Sequence, residues 1–114
     1  MELEAFELVL LRRPPNAPAY DDETLERIQG EHLAYHVSLR EAGHVVTNGP
    51  VLDQPDESLR GVTFYRTGSL AEARRLAGQD PAVLAGRLEI EALTWRCPAG
   101  TMIRPGQPLS LPDE

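Results

Sequence analysis

The chain has 114 residues, of which 41% are hydrophobic and 25% charged, a balance that fits one folded domain and excludes a disordered segment, a collagen-like fibre or a coiled-coil rod. Its 18 acidic and 11 basic residues leave a net charge of -7, and the only adjacent basic pairs, Arg12-Arg13 and Arg74-Arg75, give a nucleic-acid backbone little to bind. A domain of this size buries only part of its apolar surface alone, so association into at least a dimer is expected.

Phe6 to Leu11 is a short apolar run that stops at Arg12-Arg13-Pro14-Pro15, where two prolines forbid further ladder bonds, and it is the first expected strand. A loop through Pro18 leads to Asp21-Asp22-Glu23, an acidic start suited to the positive end of a helix dipole. Leu25, Ile28, His32, Tyr35, His36 and Leu39 then recur at three- and four-residue steps, with Arg27, Glu31, Ala34, Ser38 and Glu41 opposite them, which predicts an amphipathic helix ending at Gly43. Val45 to Thr47 reads as a brief strand closed by an Asn48-Gly49-Pro50 turn, and Leu52 to Ser58 as an exposed polar loop.

Leu59 to Thr67, with Val62, Thr63, Phe64 and Tyr65, has the β-branched and aromatic content of a central strand. Ser69-Leu70-Ala71-Glu72 matches a capping box, so the second helix is expected from Ser69 to Gly78. Asp80-Pro81 combines a favoured cap with a favoured first helical residue, which predicts one further turn ending at Gly86. Leu88 to Trp95 alternates as a last strand with an acidic exposed half, and from Pro98 to Glu114 a Pro-rich arm follows the domain of residues 1–97.

The resulting βαββαβ order predicts an α+β, ferredoxin-like sandwich: four strands in one antiparallel sheet with both helices on one face. The other face carries Val, Phe and Leu, and a second subunit packed face to face is its simplest cover. The lone Cys97 has no partner for a disulfide and is read as a spare thiol near a strand end. The first residues lack the basic and apolar regions of a signal peptide, and the longest aliphatic run near them, Leu8 to Leu11, is far short of the roughly 20 residues that span a bilayer. A cytoplasmic protein without a membrane anchor is the expectation.

His32 stands in the middle of the apolar stripe of the first helix, where an aliphatic residue would ordinarily pack. It is either a core histidine satisfied by a backbone carbonyl or, if a carboxylate fixes its tautomer, a general base. Asp80 is the candidate carboxylate, and capping the Pro81 turn does not prevent it from facing a histidine as well. His36, four residues after His32, completes the spacing of a two-histidine metal site, but Leu33 stands where the metalloprotease pattern needs Glu. No metal is therefore assigned, and His36 is read as pocket lining or core edge. His44 is read as an exposed residue at a helix C-terminus. Arg60-Gly61-Val62-Thr63-Phe64-Tyr65 has the outline of an RNA-binding strand, but Val62 and Thr67 replace the stacking aromatics and the net charge has the wrong sign.

Together His32-Leu33-Ala34, Leu39, Gly43, Asn48-Gly49-Pro50, Ser69-Leu70-Ala71-Glu72-Ala73, Asp80-Pro81-Ala82-Val83 and Gly86 resemble the YciI-like (YCII-related) family over Phe6 to Trp95. The resemblance implies a ferredoxin-like dimer of the dimeric α+β barrel group, with a catalytic His and Asp pair that falls on His32 and Asp80. Gly49, Pro50 and Ser69 match positions near that pocket, and His36 is taken with them as substrate-binding. One activity in the family, removal of chloride from a chlorinated hydroxyquinol, implies acid-base chemistry on a small polar aromatic without a cofactor. The expected function is such an enzyme acting on a small organic molecule. The rival is a non-enzymatic ligand-binding or interaction module in which the same two residues hold the core together, and a haem-binding relative on the same barrel is a third reading.

Overall fold

Alternating apolar side chains make Leu3–Arg12 the first strand, β1, of the computed structural model, which describes residues 1–102. Asp21 then caps helix α1, Asp22–Glu41, its side chain accepting from the Thr24 amide at 2.8 Å, and Asp22 and Glu23 occupy the positive end of the helix. Strands β2 (Val45–Pro50) and β3 (Leu59–Tyr65), helices α2 (Leu70–Ala77) and α3 (Pro81–Leu84), and strand β4 (Glu89–Pro98) follow. The four strands form one antiparallel sheet in the order β2-β3-β1-β4. The chain is thus an α+β, ferredoxin-like sandwich, with α3 an added single turn.

The two faces of the sheet differ in what covers them. Val9, Leu11, Val45 and Tyr65 pack beneath Ile28 and Leu39 of α1, Ala73 and Leu76 of α2 and Ala82 of α3, and this layer is the main core. Leu8 pairs across to Phe64 and Leu93, and Leu10 to Val62, on the opposite face, where Trp95 meets Phe64 edge-on at 5.1 Å. Among the described residues no helix covers these side chains, and Leu93 remains 42% exposed. Among the described residues no helix is long and apolar enough to cross a membrane.

Several expectations need correction. β1 and β4 are longer than their apolar patterns because they pair residue for residue from Leu3 opposite Pro98 to Arg12 opposite Glu89, so backbone bonding carries both strands outward. Asn48-Gly49-Pro50 is not a turn but the end of β2, with Pro50 opposite Gly61. β2 lies at the sheet edge, where a proline's missing N–H is tolerated. β3 ends at Tyr65, and Thr67 beyond it donates its amide to the buried carboxylate of Glu7 at 2.8 Å.

Ser69 caps α2 by accepting from the Glu72 amide at 3.2 Å, yet Glu72 turns to Arg75 and the Ser69 amide donates to Thr67, so only half of the capping box forms. His44 is half-buried rather than exposed, because its backbone is tied to Leu39 and to Arg66. Cys97 is a buried free thiol beside Phe6 and Val46 on β4. Of the expected C-terminal arm, Pro98 still belongs to β4 and Ala99 donates to the Glu2 carbonyl at 3.0 Å, while residues 103–114 lie outside the described residues.

Candidate functional site

Helical periodicity places His32 and His36 one turn apart on the inward stripe of α1, with ring centroids 4.6 Å apart. Asp80 approaches them from the turn before α3, where it is the N-cap and accepts from the Ala82 amide through Oδ1 at 2.9 Å. Its other oxygen, Oδ2, lies 2.6 Å from His32 Nδ1 and 3.0 Å from His36 Nε2. Asp80 is 1% exposed. One sealed carboxylate thus receives three hydrogen bonds, one closing the α3 cap and two anchoring α1.

These bonds decide the electrostatics. Burial pushes the Asp80 carboxyl up, but the hydrogen bonds from His32, His36 and the Ala82 amide together outweigh it and hold the group down at about 2. The carboxylate is therefore charged and can only accept, so His32 carries its proton on Nδ1 and His36 on Nε2. The two histidines then differ in what their second nitrogens meet. His36 Nδ1 is buried and has no hydrogen-bond partner among the described residues, so a second proton there would be a buried donor with nothing to accept it. His32, with a side chain 12% exposed, has its Nε2 left over and lines a cavity.

The carboxyl depressed from its ordinary 3.8 to about 2 is also a statement about stability, worth about 2 kcal/mol in all. Above the unfolded value the group is charged in both states and the contribution is complete. As pH falls toward about 2 the unfolded chain takes up the proton first, and the contribution is lost. The stability gap between the wild type and Asp80→Asn, measured by urea unfolding, is expected to narrow by about 2 kcal/mol between pH 5 and pH 2. A constant gap would contradict the charged, hydrogen-bonded carboxylate.

The cavity beside His32 has a volume of about 320 Å³, within the range of small-molecule sites. It opens between the middle of α1, the end of β2 at Asn48, Gly49 and Pro50, and the start of β3 at Arg60 and Gly61. Gly61 forms part of its floor for a steric reason, since a Cβ there would sit 3.0 Å from the Gly49 carbonyl oxygen. His32, Gly49 and Pro50 line the cavity together. Asp80 and His36 do not line it but sit behind His32, and Ser69 is not among its lining residues and serves as the α2 cap.

Arg13, Gln29, Asn48 and Arg60 also line the cavity, and sequence reasoning gave them no role at the site. Arg13 read as a strand stop and Arg60 as part of an RNA-binding outline, and their convergence depends on the pairing of β1 with β3. His32, His36 and Asp80 also form the one group of potential metal ligands among the described residues, their ligand atoms all within 4.8 Å. The 2.6 Å between Asp80 Oδ2 and His32 Nδ1 is shorter than the roughly 3.3 Å expected between ligands arranged tetrahedrally about a zinc ion at about 2.0 Å, and is a hydrogen-bond distance.

No curated protein matches this chain in sequence. Among solved structures, the 5-chloro-2-hydroxyhydroquinone dehydrochlorinase from Burkholderia phenoliruptrix, in complex with 2,5-dihydroxybenzoquinone, is similar with a TM-score of 0.55 and 20% identity. The match covers 83% of this chain and 95% of that one, and at this identity it speaks to a shared fold. Residues 7–96 match the profile of the YCII-related domain, which covers the whole sheet apart from its outermost residues, the three helices and every residue of the site. On that match the chain belongs to the YCII-related domain family.

Proposed function

We propose that the protein is a small enzyme that uses His32, oriented by Asp80, for general acid-base chemistry on a small organic molecule bound in the adjoining cavity. The observation that carries this reading is the asymmetry of His32: Nδ1 is locked on a buried carboxylate at 2.6 Å while the ring lines a cavity of substrate size. In the neutral ring Nε2 bears a lone pair and can take a proton from an acidic O–H or C–H of the substrate. The imidazolium so formed keeps its Nδ1–H on the Asp80 carboxylate, which stabilises the charge, and the same proton is returned from Nε2 later in the cycle. The similar structure is that of an enzyme complexed with a dihydroxybenzoquinone, which makes hydroxylated aromatics and quinones the first compounds to assay. No step calls for a cofactor, and the single free cysteine suits a reducing cytoplasm.

Diethylpyrocarbonate modification separates this reading from a purely structural role for the pair. His32 is expected to react while His36 stays protected, and turnover of an active compound should disappear in step with modification of His32. Complete protection of His32 in the folded protein would overturn the enzymatic reading and favour a sealed pair that only holds α1 to α3.

The proposed working unit is a homodimer closed over the uncovered face of the sheet. Leu8, Leu10, Val62, Phe64, Leu93 and Trp95 form an apolar layer there that no helix among the described residues covers, and exposed apolar layers of this kind mark association surfaces. Leu93→Asp would place a charge in that layer, opposite Leu8, and is expected to shift the mass from dimer to monomer in light scattering. A monomeric wild type, or a variant that remains dimeric, would place the interface elsewhere or remove it.

A further inference from the structure

We propose that the cavity beside His32 selects small organic oxyanions, such as carboxylates or the conjugate bases of acidic enols, with Arg60 and Arg13 as its anion-binding groups. This inference deepens the acid-base reading and rests on it for what happens after binding, but the recognition step has its own basis. The protein carries 18 acidic residues against 11 basic ones, yet the lining of this cavity includes two arginines and no carboxylate. A site of that composition attracts anions against the field of the whole molecule.

The hydrogen-bond partners of the arginines sharpen the point. Arg12, Arg27 and Arg75 are each neutralised by carboxylates, through Asp56 and Glu91, Glu31, and Glu72 respectively. Arg13 instead donates from Nε to the Arg87 carbonyl at 2.7 Å, Arg60 donates to the Glu57 carbonyl at 3.3 Å, and Arg87 donates to the Pro18 carbonyl at 3.0 Å. None of these three is in a salt bridge among the described residues. Their mutual proximity is felt at Arg13, where burial, then the charges of Arg87 and Arg60, hold the guanidinium below its ordinary value. Cations held together by neutral carbonyls are positioned without being neutralised, and an oxyanion between Arg60 and Arg13 would relieve their repulsion.

The remaining lining says what the anion is attached to. Leu11, Leu33 and Leu88 supply apolar wall and Gly61 keeps the floor open, a surround suited to a flat ring or short carbon skeleton. Guanidinium groups are planar forks that match a planar, delocalised oxyanion bidentately. Such a ligand would hold its charge on the arginines and present a neighbouring carbon or hydroxyl to His32 Nε2.

The test is calorimetric titration of the full chain with benzoate, its neutral isostere benzamide, and inorganic phosphate. Benzoate is expected to bind saturably and benzamide not at all, with benzoate affinity falling as salt is added and falling about tenfold or more in Arg60→Gln. Arg60 is exposed, so this variant is expected to fold, and an unchanged melting temperature would verify that. Equal binding of benzamide, an unaltered affinity in Arg60→Gln, tighter binding of phosphate than of benzoate, or no binding of benzoate would each overturn the proposal. His32→Gln should retain benzoate affinity within about threefold, because the arginines carry the charge recognition. Benzoate binding by a protein whose His32 proves inert to diethylpyrocarbonate would therefore defeat the acid-base reading alone, and reactive His32 without benzoate binding would defeat this one alone.

Discussion

Asp80→Ala is expected to cost the fold about 3–5 kcal/mol, because it strands two buried imidazole donors and removes the cap of α3 in one step. That loss corresponds to a melting temperature lower by roughly 15 °C or more for a domain of this size. Asp80→Asn is more informative. The amide oxygen can still cap α3, but its NH2 group would face His32 Nδ1 and His36 Nε2, both of which are donors when the carboxylate is present. One histidine must then move its proton. His36 would have to place it on Nδ1, which is buried without a partner, whereas His32 can place it on Nε2 beside the cavity. Asp80→Asn should therefore keep more of the stability than Asp80→Ala while converting His32 from an acceptor toward the cavity into a donor. Side-chain ¹⁵N shifts would reveal the exchange of tautomers, and an unchanged His32 tautomer in Asp80→Asn would contradict the assigned proton positions.

His32→Gln is expected to lower turnover by about 10²–10⁴ on any substrate whose reaction needs proton transfer, the usual contribution of a positioned general base. The loss should fall on kcat, since charge recognition is assigned to other side chains. Its effect on stability is expected to be about 1.5–3 kcal/mol, the net worth of one hydrogen bond to a charged group, and below that of Asp80→Ala because the Asp80 carboxylate keeps its bonds to His36 and the Ala82 amide. Urea unfolding and steady-state kinetics on the same preparation would separate the two effects. A variant that loses stability as Asp80→Ala does, or one that retains full turnover, would return His32 to a structural role.

Much of this site was legible because its residues violate the patterns around them. An imidazole in the middle of an apolar helical stripe, and an aspartate directly before a proline, each stand out without a structure, and a contact between His32 and Asp80 followed as a candidate. The strands were legible from β-branched alternation, most clearly at Val62-Thr63-Phe64-Tyr65. What the pattern could not reveal was position within the sheet. Asn48-Gly49-Pro50 has the chemistry of a turn in an isolated segment, and only at the edge of a sheet does its proline become a tolerable strand residue. The adjacent Arg12 and Arg13 illustrate the same gap. Strand alternation sends Arg12 to Glu91 and Asp56, while Arg13 reaches the Arg87 carbonyl and the cavity. A pair that looks like one basic patch is thereby divided between two salt bridges and a cavity wall. His36 reads from its spacing as pocket lining or core edge, and in the fold it is buried behind His32.

Asp80 is separated by 48 residues from His32 and by 44 from His36, and the two hydrogen bonds its carboxylate accepts from them join the longest helix to the last helical turn before β4. Neither histidine can acquire its partner from its own neighbourhood in the chain, and β4 closes against the first strand with Leu3 opposite Pro98. Contacts of such sequence separation are slow to form and arrive together. During synthesis, the first helix can form with both histidines in place long before the carboxylate emerges, and it would do so with two polar rings on its apolar stripe and nothing to receive them. Assembly of the site and completion of the fold are consequently one event, so a partly folded chain carries the residues of the site without its chemistry.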